Sequence, residues 1–270
     1  MLECLVNGEI SSFVSAGNRG LNYGDGLFET LLIKNGQPIW WQAHMDRLGI
    51  CCKRLGLNMP PQAKLLREVK TATAGLSSAV VKIVLTRQGQ ARGYGFDAES
   101  DCDRIISAHA IPDNLEEPVL QGRRARICDL RLAVQPALGG IKHLNRLEQV
   151  LATAEDYQEG VTEGILLDQE DNVISAISAN IFIVMEQRLL TPRLDRSGVR
   201  GVFRSQILAA FKARCEQRRI QPDFLREAHE VFVCNCVRGI VPITRIGDWE
   251  YAIGPVTREL QSWYHEHQPL

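Results

Sequence analysis

No stretch of the 270-residue chain approaches the roughly 18 consecutive apolar residues that a membrane-crossing helix needs, so no membrane partner is expected. A basic surplus is absent too: 31 lysines and arginines face 32 aspartates and glutamates, a formal net charge of −1. With no run of positive charge to neutralise a phosphate backbone, a nucleic-acid partner is not expected. Residues 1–10 carry glutamates where a secretory leader opens on basic residues, so the expected address is the cytoplasm. The eight cysteines include no CxxC spacing, since Cys51 and Cys52 are adjacent and Cys234 and Cys236 flank one residue, and the six histidines do not stand at ligand spacing from them. Reduced thiols are expected, with no metal.

What is present is an apolar share of 45% with 23% charged residues, the composition of a folded chain, long enough for one large domain or two ordinary ones. Asn7-Gly8 and Asn35-Gly36 each separate short strand-like runs, the pattern of tight hairpins, so the chain is expected to begin with an antiparallel sheet. The apolar period then turns helical over 41–57, with His44, Leu48, Cys51 and Leu55 on one stripe, and Pro60-Pro61 opens a second helix to about residue 74. Strands are expected at 79–86 and 104–111. The acidic, proline-bearing stretch 113–118 reads as a linker between an N-terminal domain, 1–112, and a C-terminal domain, 119–270. The second half reads as strand 124–133, helix 144–157, strands 164–168 and 180–184, helix 201–215, strand 230–234 and a helix after Pro255. Helices and strands mix in both halves without a continuous βαβ period, so two mixed α/β domains of the α+β class are expected.

Lysine is scarce, which narrows the search for a nucleophilic amine: there are Lys34, Lys53, Lys64, Lys70, Lys82, Lys142 and Lys212. Lys34 falls in a turn, Lys53, Lys64, Lys70 and Lys212 fit polar helix faces, and Lys82 alternates outward in a strand between Val81 and Ile83. Lys142 follows Leu138-Gly139-Gly140-Ile141 and precedes an apolar-striped helix (Leu144, Leu147, Leu151, Ala154), a place where an amine can be desolvated and aimed into a cleft. Position alone equally allows a solvated lysine at a helix start. Arg47 lies close to the inward stripe, where a guanidinium needs an anion, either a ligand or a structural carboxylate. Gly198-Val199-Arg200-Gly201 runs into a helix at Val202-Phe203-Arg204, whose first amides and dipole favour a phosphate. An amine for an aldehyde, and an arginine with an amide cradle for a phosphate, are together the needs of pyridoxal 5'-phosphate.

Through these motifs, and through the segments Arg19 to Thr30, His44 to Leu48, Gly140 to Val150, Ser178 to Phe182 and Glu230 to Cys236, the chain resembles the fold type IV pyridoxal phosphate enzymes. That D-amino-acid aminotransferase-like family includes branched-chain and D-amino-acid aminotransferases and aminodeoxychorismate lyases. The resemblance implies that Lys142 bonds the cofactor aldehyde and acts as the catalytic base, and that Arg47 and the backbone N–H groups of Val202, Phe203 and Cys236 hold its phosphate. It gives Thr30 an acid/base role, places Tyr94 against the cofactor ring, and makes Asn235, Tyr23 and Arg92 substrate contacts. The substrate carboxylates are left to arginines among Arg19, Arg87, Arg92 and Arg104. Five residues before Asn180, where the family pattern has a glutamate for the pyridine nitrogen, stands Ser175, which can hydrogen-bond that nitrogen but brings no charge. Residues 141–149 resemble the lyase version of the lysine motif, and Thr30 stands where branched-chain aminotransferases have glycine. The implied activity is a lyase that turns 4-amino-4-deoxychorismate into 4-aminobenzoate and pyruvate in folate synthesis, acting as a cytoplasmic homodimer. A D-amino-acid or branched-chain aminotransferase is the alternative.

Overall fold

Asn7 and Gly8 take positive φ, 54° and 94°, the backbone that matches strand twist in a tight turn, and join β1 (Glu3–Val6) to β2 (Glu9–Ile10). The structure, a computed structural model, describes residues 2–89, 93–113, 116–155 and 159–267. After α1 (Arg19–Tyr23) and β3 (Gly26–Lys34), Asn35 and Gly36 repeat the turn into β4 (Gln37–Pro38). Helices α2 (Trp41–Leu55) and α3 (Gln62–Ala72) and strands β5 (Ser78–Arg87) and β6 (Cys102–His109) follow. The strands form one antiparallel sheet in the order β2-β1-β6-β5-β3-β4.

Period-two alternation gives this sheet two different faces. Leu27, Glu29, Leu31, Ile33, Val81 and Ile83 are buried, whereas Phe28, Thr30 and Leu32 are half-buried and Lys82 is exposed. Helix α2 packs on β3 through a buried stripe of His44, Met45, Leu48, Cys51 and Cys52, so the face bearing Glu29 is the covered one.

The second half contains α4 (Glu116–Gln121), β7 (Arg123–Leu132), α5 (Leu147–Ala154), β8 (Val161–Asp168), β9 (Val173–Ala176), β10 (Asn180–Met185), β11 (Arg188–Pro192) and α6 (Val202–Ala210). It continues with β12 (Cys215–Arg218), α7 (Pro222–Arg226), β13 (Glu230–Asn235), β14 (Gly239–Ile246), β15 (Trp249–Glu250) and α8 (Pro255–His267). Its mixed sheet runs β12-β11-β10-β13-β14-β7-β8-β9, with β15 beside β14. Ile165, Ile181, Ile183, Val231, Val233, Val241 and Ile243 form its main core. Among the described residues no helix is long and apolar enough to cross a membrane.

The chain divides into two compact units, one of Met1–Pro112 with Lys142–Asn145, the other of Asp113–Ile141 with Arg146–Gln268. A contiguous C-terminal domain carrying Lys142 was expected; instead, residues 142–145 go with the first unit. Phe28 N–H donates to Lys142 O at 3.0 Å, Leu144 N–H donates to Gly26 O at 3.1 Å, and His143 bridges Leu27. Helix α5 accordingly starts at Leu147, and its Leu147, Val150 and Leu151 are exposed, so the apolar stripe after Lys142 is not core. The acidic linker is helical from Glu116, because Glu116 and Glu117 suit the positive end of a helix and Pro118 is tolerated in a first turn. Helix α6 stops at Ala210, and β9, β11, β12 and β14 were not read at all; β9, buried at every position, offers no alternation to detect.

Candidate active site

In the first unit, the backbone bonds at the start of β3 set the Lys142 amine over Phe28, with Nζ 3.9 Å from the ring centroid on the electron-rich face. Thr30, two residues along, faces the same side. Directly across from Thr30 in the sheet is Lys82 of β5, and across from Lys82 is Ser107 of β6. Lys82 Nζ lies 5.1 Å from the same Phe28 centroid and has no acid partner among the described residues. This half-open face therefore carries an amine, a hydroxyl and a cation around the Phe28 position.

On the covered face, Glu29 Oε1 accepts from Arg47 Nε at 2.8 Å and Oε2 from Arg47 Nη2, while His44 Nδ1 stands 2.6 Å from Oε2. Burial pushes the Glu29 carboxyl up, but the Arg47 guanidinium and the hydrogen bonds from His44 and Arg47 outweigh it and hold the group down at about 2. Burial pushes the nearby Cys51 thiol up, against a backbone hydrogen bond at Lys142.

In the second unit, the chain just before Lys142 is laced to the glycine loop: Gly140 N–H donates to Gly198 O at 3.0 Å and Arg200 N–H to Gly140 O at 3.1 Å. Helix α6 opens behind Gly201 with no side-chain cap, and the positive end of its dipole favours an anion there. A Cβ on Gly201 would stand 2.0 Å from Asn180 Oδ1, and Asn180 Nδ2 pins the loop by donating to Val199 O at 2.9 Å. Arg204, buried in that first turn, donates only to neutral oxygens of Thr191, Pro192 and Gln217, and burial lowers it to about 10. Among the described residues no carboxylate pairs with Arg204, so its charge adds to the field that favours an anion there.

The amino-transferase class IV family model matches residues 26–246, from the first residue of β3 to the last of β14. The chain belongs to this family. The class IV chain is 34% identical to the aminodeoxychorismate lyase of Vibrio harveyi over 95% of its own length and 97% of that protein. It is similar to the crystal structure of 4-amino-4-deoxychorismate lyase from Pseudomonas aeruginosa, with a TM-score of 0.93, 37% identity and 98% of each chain covered. The PLP-bound form of a hypothetical aminotransferase from Mycobacterium tuberculosis shares the fold at a TM-score of 0.83 and 17% identity, over 96% of each chain. Each unit carries residues that fit one end of a phosphorylated aldehyde: in the first, an amine over an aromatic face suits the aldehyde, and in the second, a helix start with no side-chain cap and with buried Arg204 in its first turn suits the phosphate.

The class IV chain brings Lys142 and Thr30 to one sheet face and Arg47 against Glu29. Val202 and Phe203 lie in the first turn of α6, Cys236 directly follows β13, and Ser175 is buried in β9. Asn235 is largely committed to its own turn: Oδ1 accepts from Val237 and Arg238 N–H at 3.0 and 2.8 Å, and Nδ2 donates to Ser178 O at 3.2 Å. Tyr23 and Tyr94 are exposed and meet edge-on, their ring centroids 5.8 Å apart. Arg92 lies outside the described residues. Arg19 and Arg87 share Asp25, and Arg104 pairs with Glu68, so these three are spent on structural acids. Beside these the structure sets Lys82, next to Thr30, and Glu29 with His44, against Arg47. Alternation alone turns both Lys82 and Thr30 outward; the β3–β5 register sets them side by side.

Proposed function

We propose that this chain is a pyridoxal phosphate-dependent lyase that converts 4-amino-4-deoxychorismate to 4-aminobenzoate and pyruvate, a step of folate synthesis in the cytoplasm. The observation that carries this reading is the row of Thr30 and Lys82 beside the Lys142 amine, in a chain whose relatives at 34% and 37% identity bear the lyase name. Lys142 would bond the cofactor aldehyde, Arg47 and the Val202, Phe203 and Cys236 amides would serve its phosphate, Ser175 its pyridine nitrogen and Tyr94 its ring. When bound, pyridoxal phosphate supplies an electron sink for charge that develops at the amine-bearing carbon.

The chain's own groups then have distinct tasks. Once the substrate's own amine has displaced it from the aldehyde, the Lys142 amine is free to take the proton from the amine-bearing carbon, and the bond from the neighbouring carbon to the enolpyruvyl oxygen breaks with its electron pair on oxygen. The Thr30 hydroxyl delivers the proton that releases pyruvate, and the protonated Lys142 restores it. The ring becomes aromatic, and no amino acceptor or oxidant enters. Lys82 offers its charge to a substrate carboxylate, with Tyr23, Arg92 and Asn235 as the other substrate contacts. A second copy of the chain is part of this reading, supported by the exposed Leu147, Val150 and Leu151 on α5.

The test is purified protein with pyridoxal phosphate and 4-amino-4-deoxychorismate. Equimolar pyruvate and 4-aminobenzoate without any added keto acid is expected. Product formation only with an amino acceptor would replace the lyase by an aminotransferase.

A further inference from the structure

We infer that Glu29 and His44 are positioning residues that set the Arg47 guanidinium for the cofactor phosphate. The inference rests on the proposed role of Arg47 toward that phosphate. His44 and Arg47 are three residues apart on α2, so both side chains leave one helix face toward β3. There Glu29 is 1% and His44 0% exposed, so water does not compete for either. The carboxylate takes the Nε and Nη2 edge of Arg47 side-on, which fixes the planar fork in direction and in rotation. His44 Nδ1, 2.6 Å from Oε2, holds the carboxylate itself in place.

The neighbouring strand position gives this brace its purpose. Phe28 lies under the Lys142 amine and is bonded to Lys142 through its backbone, while Glu29, next in β3, turns to the opposite face and grips Arg47. Two adjacent residues of one strand thus tie the aldehyde-bonding amine and the guanidinium to a common backbone. Position and charge oppose each other here: the Glu29 carboxylate aims Arg47 but also cancels part of its attraction for a second anion. Glu29→Gln keeps the shape and removes the charge, so the sign of its effect decides which dominates.

Pyridoxal phosphate and pyridoxal, which lacks the phosphate, are titrated separately into cofactor-free protein. Glu29→Gln is expected to lower the preference for pyridoxal phosphate over pyridoxal by about tenfold or more, with pyridoxal affinity itself changed by less than about threefold, and to broaden the phosphorus resonance of the bound cofactor. His44→Asn, whose amide nitrogen can occupy the place of Nδ1, keeps the preference, and His44→Leu loses it. If Glu29→Gln does not fold, as judged by circular dichroism, the His44 pair decides. An unchanged or increased preference in Glu29→Gln, or identical behaviour of the two His44 variants, overturns the inference. Arg47→Met separates the two levels. If it leaves the preference untouched, the role given to Arg47 fails and the brace falls with it; if it abolishes the preference while Glu29→Gln does not, only the brace fails.

Discussion

Lys142 and Phe28 are joined twice, by the backbone bond from Phe28 N–H to Lys142 O at 3.0 Å and by the Lys142 Nζ standing 3.9 Å from the Phe28 ring centroid. The first contact locates the lysine backbone on the sheet, and the second locates its amine. Neither depends on the helix that follows, which starts five residues later at Leu147.

Lys142→Ala is expected to lower turnover by at least about a thousandfold, because it removes both the bond to the cofactor and the base. Borohydride reduction of the wild-type holoenzyme followed by peptide mapping should place the pyridoxyl group on Lys142. Lys82 shares the Phe28 ring, so a label on Lys82 would reverse the two assignments.

Lys82→Gln should raise KM for 4-amino-4-deoxychorismate by about tenfold or more while changing kcat less, as expected when one charge-assisted contact to a carboxylate is lost from ground and transition states alike. Inhibition by 4-aminobenzoate and by pyruvate, measured on both proteins, shows which carboxylate Lys82 meets. An unchanged KM returns Lys82 to the role of a solvated strand lysine.

Thr30→Ala should reduce kcat about a hundredfold with little change in cofactor affinity, and Thr30→Ser should recover most of the rate, since only the hydroxyl is needed for proton transfer. Equal rates in the alanine variant and the wild type would make Thr30 a packing residue.

Gly201→Ala forces a methyl to within 2.0 Å of Asn180 Oδ1 and so breaks the contact through which Asn180 holds Val199. A loss of about 1–3 kcal/mol in unfolding free energy is expected. Pyridoxal phosphate affinity should fall more than pyridoxal affinity, because the displaced segment opens α6.

The Glu29 carboxyl, held down at about 2 in the fold, is depressed from the roughly 4.3 of an unfolded chain. Its contribution to stability is complete above the unfolded value and is lost as pH falls from about 4.3 through about 2, on the order of 3 kcal/mol for a fully buried pair. Denaturant melts across that window should show a steep decline in the wild type and a flatter one in Glu29→Gln. Parallel curves would place the acid sensitivity elsewhere.

The amino-acid sequence by itself determined what local chemistry decides. Asn-Gly at two turns demanded left-handed backbone, the stripe His44, Leu48 and Cys51 demanded a covered helix face, and glycines before Val202 marked the start of a helix. Its motifs also singled out Lys142, Arg47 and Thr30. The tertiary structure alone decided who stands beside whom. A period of two shows that Thr30 and Lys82 both face outward, but only the pairing of β3 with β5 makes them neighbours. The inward Arg47 demanded an anion, and only the packing of α2 on β3 supplied Glu29, eighteen residues away in the chain. Likewise an apolar stripe after Lys142 marked a helix from 144, whereas residues 142–144 are bonded through their backbone to Gly26 and Phe28 of the first sheet, the helix starts at Leu147, and Leu147 and Leu151 are exposed. Backbone periodicity is written in neighbours a few residues apart; register and the pairing of buried charges are set by segments that meet only when the chain has folded.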